Sequence, residues 1–256
     1  MNKMKHNQIT QLTIRSKLLA LVNLIFLVTA LCAPPKHVLG ADATENIDKI
    51  GDGIKGLPPR DPETKINLID LSDFYNGSVK DGWFPNTALG TTADKRLNLS
   101  LGVGRFDGVD FDVRGAIQLS GQRLKSMGGE FPEKVQGIKI GLKCKRLFVL
   151  QAADSAATFY VPEGTDIGGY IVRYVDGSSQ RIPIVTGIDL RDWVRHDADE
   201  VSRGAVVWNG KAPNGWPVRL YKGEWANPTP EIEIKSIDYI SKMTKASPFL
   251  IAITAE

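Results

Sequence analysis

The sequence predicts an all-β protein, an antiparallel β-sandwich, and three observations carry that expectation. From Ile66 onward the apolar residues recur with period two, the runs are short, and Gly, Pro, Asn and Asp separate them. In "VDFDVRG", Val109, Phe111 and Val113 fall on one face and Asp110, Asp112 and Arg114 on the other. No long helical period competes with this pattern, and many short punctuated strands point to a sandwich or barrel.

The elements follow in order. Met1 to Lys17 carries Lys3, Lys5, Arg15 and Lys17 without an acid, and the apolar run Leu18 to Ala33 ends at Pro34-Pro35. This is the order of a secretory signal, and Gly40 after Val38-Leu39 suits cleavage, so residues 1–40 are expected to be a signal peptide. The run is shorter than the ~20 residues a spanning helix needs and Asn23 interrupts it, which argues against an uncleaved anchor. Leu31 before Cys32 argues against lipidation. A secreted or periplasmic location follows, with no membrane span after cleavage.

Residues 41–65 are polar, rich in Gly and Pro and without period, and are expected to be a flexible linker. The remaining 191 residues, 66–256, are uniform in composition and long enough for one domain with a sizeable core. Expected strands lie at 66–71, 97–101, 109–113, 115–120, 135–141 and 145–152. "YIVRYVDGSSQRIPIV" reads as a hairpin over 170–185, turning at Asp176-Gly177-Ser178-Ser179. Residues 188–201 read as a short helix or a structured loop. Further strands are expected at 205–209, 217–222, 231–240 and 248–254, with a phase slip at Ser236-Ile237 that predicts a bulge. The turn between the last two is Lys242-Met243-Thr244-Lys245.

Charge excludes one class of partner. Losing residues 1–40 removes five basic residues and no acids, leaving 27 Lys and Arg against 29 Asp and Glu, a net of −2. The basicity belongs to the signal, and no basic stripe remains for nucleic acid. Cys144 is the one cysteine after position 40, so no disulfide forms within that chain, and its apolar neighbours predict a buried thiol.

Several segments in order carry a likeness: "FDGVDFDVRGAIQLSG", "FPEKVQGIKIGLKCKRLFVLQAA", "GTDIGGYIVRYVDGSSQRIPIVTGIDLRDW", "AVVWNG", "RLYKGEWANP" and "EIEIKSIDYIS" with "PFLIAIT". Together, over about residues 66–256, they resemble a family of exported bacterial β-sandwich domains of the galactose-binding-like, jelly-roll type. The resemblance implies that fold and, by analogy with carbohydrate-binding modules, a glycan-binding role. It carries over no catalytic residue.

Chemistry is then argued largely by subtraction. His196 is the one histidine after position 40, too few for a His-based zinc site, and no G-x-S-x-G elbow accompanies it. In "LGVGRFDG" (101–108) the glycines are spaced wrongly for a dinucleotide loop and a strand follows where a helix should open, so a turn before a strand is expected. Asp110 and Asp112 form the most obvious local acidic pair, with Arg114 as partner. A structural Ca²⁺ site sharing Asp107 is the metal alternative; no other cofactor is expected. A glycosidase needs two acids across one cleft, which spacing along the chain cannot reveal.

Aromatics are the remaining signal. Trp83, Trp193, Trp216 and Trp225 sit among turn residues, whereas Trp208 in "AVVWNG" reads as core. A pyranose presents an apolar CH face to an indole while Asp, Asn and Arg take its hydroxyls; the same rings can instead plug the ends of a sandwich. The richest stretches, 189–197 and 214–227, place the expected ligand site at Arg191, Asp192, Trp193, Trp216, Arg219, Tyr221, Trp225 and Asn227. The function expected is a non-catalytic binding module for a glycan or cell-surface polysaccharide. The alternatives are a secreted glycoside hydrolase with paired carboxylates and a structural or assembly domain without a small ligand.

Overall fold

The computed structural model describes residues 54, 57–80, 83, 98–195, 200–212 and 215–256. All of them belong to one compact unit, Asn46–Glu256. The expected signal peptide, most of the expected linker, His196 and the greater part of 81–97 lie outside the described residues.

The protein is an all-β antiparallel sandwich. Eleven strands are described: β1 Gly102–Phe106, β2 Val109–Val113, β3 Ile117–Gln118, β4 Lys134–Leu142, β5 Arg146–Asp154, β6 Asp166–Tyr174, β7 Ser179–Val185, β8 Ala205–Lys211, β9 Pro217–Ala226, β10 Ile234–Ser241 and β11 Ser247–Ala255. One helix of five residues, α1 Gln122–Ser126, and a 3-10 turn at Ser72–Phe74 complete the inventory. Four strands form one sheet in the order β4-β10-β6-β7, and five form the other in the order β3-β11-β5-β9-β8. No described helix is long and apolar enough to cross a membrane.

Period two explains where each face goes. Along β5, Leu147, Val149 and Gln151 face the four-stranded sheet, and the Tyr170 hydroxyl of β6 crosses the gap to donate to Gln151 Oε1 at 2.7 Å. Phe148 faces outward, where the Arg146 guanidinium and the Lys222 ammonium lie over its ring. That outer face is covered by the two-stranded β1–β2 unit: Lys222 Nζ reaches Asp107 at 2.5 Å and Thr254 Oγ1 donates to the Asp110 carbonyl at 2.7 Å. Every residue of β11 is therefore buried.

The last two strands part company. β10 pairs with β4 and β6, whereas β11 pairs with β3 and β5, so Lys242-Met243-Thr244-Lys245 carries the chain from one sheet to the other. The expected slip is present as a register shift between Ile234 and Ser236, and the strand begins at Ile234 rather than at Glu231.

Three strand assignments change. Residues 66–71 bury Leu68, Ile69 and Leu71 but form only a single bridge, Leu68 to Thr254, because the Asp70 carboxylate takes the Ser72 amide and turns the chain. Within 97–101 no described residue is in a strand; the strand starts at Gly102. Residues 115–120 shrink to Ile117–Gln118, since Ala116 bridges to Gly77 instead. "LGVGRFDG" is itself a strand and a hairpin turn: Asp107 and Gly108 both have positive φ, 43° and 82°, the two-residue type I′ turn that matches strand twist.

Arg60, inside the expected linker, packs on the domain. Its Nη1 lies 3.0 Å from Asp112 Oδ2, and its Nη2 donates to the Leu68 carbonyl at 2.5 Å.

Candidate functional site

The structure does not assemble the eight expected ligand residues on one surface. Trp193 is 2% exposed and packs edge-on to Phe249, which also meets Trp83. Trp193 and Trp83 also face each other, with ring centroids 6.4 Å apart. Arg219 is fully buried, its Nε donating to the Asp192 carbonyl at 3.0 Å and its guanidinium lying over Tyr221, which is buried as well. Arg191 ties its loop down through the Glu200 carbonyl and the Glu163 carboxylate. Asn227 accepts from the Tyr174 hydroxyl at 2.6 Å and donates to the Cys144 carbonyl at 2.8 Å. Trp216 stands on the surface, 48% exposed. Trp208 is half-buried over Gly210, on an edge strand rather than in the interior.

Asp192 is spent on backbone amides, two of them from the segment after β5. Its Oδ2 accepts the Ala156 and Ala157 amides at 2.9 and 3.2 Å, and its Oδ1 accepts that of Val194 at 2.9 Å. Burial, then the charge of Asp154, lifts the Asp192 carboxyl to about 7, against the pull of those three amides. Asp154 is also raised by burial, while the Ser155 hydroxyl and the Trp193 indole hydrogen-bond to it and pull it down. These two acids do converge, yet both oxygens of Asp192 already hold backbone.

The acids weighed for calcium have cationic partners. Asp107 pairs with Lys222, Asp110 with Arg105, and Asp112 with both Arg60 and Arg114. Arg114 also reaches Asp70 at 2.5 Å and lies over Tyr75. Among the described residues, no group of three or more His, Cys, Asp or Glu is placed to hold a metal ion. Cys144 is buried, and burial pushes its thiol pKa up.

One expected ligand residue does line a cavity. Tyr221, Gly223 and Trp225 share the inner face of β9, opposite Gln151, Val149 and Leu147 of β5. Between this face and the facing sheet lies a cleft of about 240 Å³. Its floor is apolar, made by Leu147 and Val149 of β5, Ile182, Pro183 and Ile184 of β7, and Ile237 of β10. Gly223 keeps it open: a Cβ there would come within 2.9 Å of Val149 Cγ2 and 3.0 Å of Gln151 Nε2. The rim is polar, with Trp225 on one side and Arg181, Arg203 and Asp189 on the other.

The polar groups are positioned by internal bonds. Asp189 takes Arg203 through two contacts, Nε at 2.6 Å and Nη2 at 2.7 Å, and accepts the Val185 amide at 2.8 Å. Arg181 is held by Asp166 at 2.8 Å and by the Gly168 carbonyl at 3.0 Å. Glu224 faces Arg146 at 3.4 Å. Burial, then the Asp189 charge, holds the Tyr170 phenol well above its ordinary pKa, so the hydroxyl stays protonated and donates to Gln151.

Sequence reasoning reached Trp225 but missed Gln151, Arg181, Asp189 and Arg203. A signal for β9 was present: in "RLYKGEW" alternate positions carry Arg219, Tyr221, Gly223 and Trp225, one face with a gap beside a ring. No spacing announces the opposing residues, which come from other strands and loops. No protein-family model matches this chain, and no curated protein matches it.

Proposed function

We propose that this protein is an exported, non-catalytic binding module of the galactose-binding-like, jelly-roll type, and that it takes a glycan in the cleft between its sheets. The observation that carries the reading is the placement of Trp225 at the rim of a cavity with a largely aliphatic floor and a polar mouth. An indole there offers a flat apolar face to a sugar ring, and Arg181 and Arg203 stand round it as hydroxyl partners. At about 240 Å³ the cleft suits one ring rather than an extended chain, which favours the end of a glycan or a single side residue. The acid at the rim, Asp189, is ion-paired, so the arrangement favours binding over acid–base hydrolysis. Export rests on the order of residues 1–40.

A glycan array with wild type and Trp225→Ala tests the site. Wild type is expected to retain a glycan and the variant to lose it, while its melting temperature falls by less than a buried ring would cost. Trp193→Ala should show that full cost, about 3–5 kcal/mol, because its ring is in the interior. Undiminished binding by Trp225→Ala would remove the cleft from consideration. N-terminal sequencing of the secreted protein should find Ala41 first.

A further inference from the structure

The Gln151 side chain is 3% exposed, and one end of its carboxamide is accounted for by the Tyr170 hydroxyl at Oε1. Its Nε2 lies beside Gly223, on the cavity floor, and no described residue accepts from it. The amide lines the cleft, so this donor is open to an acceptor brought in by a ligand. Around it Val149, Ile182, Ile184 and Ile237 are aliphatic, and the Tyr170 hydroxyl, which gives its proton to Gln151, is the neighbouring polar group.

A group that satisfies this floor has one carbonyl oxygen and a small apolar body. A sugar hydroxyl fits less well: it can accept from Gln151 Nε2 and donate to the Tyr170 oxygen, but it leaves the aliphatic wall uncovered. An acetyl group fits: its carbonyl accepts from Gln151 Nε2, its methyl enters the aliphatic pocket that Gly223 leaves open, and the sugar ring that bears it lies against Trp225 at the rim. Resting on the reading of the cleft as a glycan site, we infer that it selects an acetylated sugar, with the acetyl group seated on the cavity floor against Gln151.

An acetyl group reaches a sugar as an amide or as an ester, and the test separates the two. Binding to the wild-type protein is measured for two matched pairs. One pair is an N-acetylhexosamine disaccharide and the same disaccharide with hydroxyl in place of acetamido; the other is an O-acetylated oligosaccharide before and after mild alkali. A preference of about 10- to 100-fold for the acetylated member is expected in at least one pair, the scale on which a pocket reads a small apolar group together with a buried hydrogen bond. The pair that shows it identifies the linkage. Gly223→Ala, which places a methyl against Gln151 Nε2, should abolish the preference. Equal binding within both pairs overturns the acetyl inference and leaves glycan recognition standing; no binding to any glycan on a broad array overturns the underlying function instead.

Discussion

At Asp192 burial and hydrogen bonding pull in opposite directions. Burial and Asp154 raise its pKa to about 7 from an ordinary value near 4, so the folded state holds that proton more tightly than the unfolded chain does. A carboxyl raised in this way contributes most to stability below its unfolded pKa, and the contribution is lost as pH rises through about 4 to 7. Melting curves between pH 4 and 8 should therefore decline across that window for wild type and be flatter for Asp192→Asn. That variant melts lower throughout, by about 1–3 kcal/mol, because its amide opposes one of the three backbone donors. Parallel curves for the two proteins would place the titration elsewhere. A second carboxylate, Asp112, is buried between Arg60 and Arg114. Asp112→Ala should cost about 3–5 kcal/mol, measured by chemical denaturation, since it leaves the buried Arg114 guanidinium without one of its two carboxylates. The pairing of Asp112 with Arg114 was legible, two positions apart on the chain. Arg60 was not, because its partner is 52 residues away and its own neighbourhood reads as polar linker.

At the scale of elements, period two did most of the work and failed where glycine intervened. β4 to β7 and β9 to β11 lie within a few residues of expectation, since each buries alternate apolar side chains against a facing layer. β1 went unread: Gly102 and Gly104 leave only Val103 and Phe106 as apolar signal, and Val103 points to solvent. β11 shows the opposite limit, an unbroken apolar run with no alternation because both faces are covered. Ile251 sits in that run, 1% exposed, with its carbonyl accepting the Tyr75 hydroxyl. Ile251→Asp should unfold the domain at room temperature, as a buried charge without a partner costs several kcal/mol of the roughly 5–15 available. A wild-type melting temperature in that variant would contradict the burial.

The cleft belongs to the whole molecule, because no single element makes it. β9 and β5 supply one wall and β7 the other, with the loop residues Asp189 and Arg203 at the mouth. A sequence read strand by strand therefore finds the stacking ring and not its surroundings. The same division predicts the response to ligand: a glycan held between the sheets binds the folded state alone. Saturation at about 100 times Kd adds about 2.7 kcal/mol, which for a domain of this size is a rise in melting temperature of roughly 5–10 °C. A thermal-shift assay should show that rise in wild type and none in Trp225→Ala.

The crossing from β10 to β11 has a consequence in time rather than in space. β11 is an inner strand of the five-stranded sheet, between β3 and β5, and Gln118 waits 129 residues for the Ser247 carbonyl that its amide meets. Until that strand emerges from the ribosome, β3 has no neighbour and β5 lacks one of its two, so the sheet cannot close on a nascent chain. Pairings so distant along the chain fold slowly. A chain made only as far as β10 thus keeps the apolar sides of β3 and β5 uncovered, the state in which chaperones hold proteins.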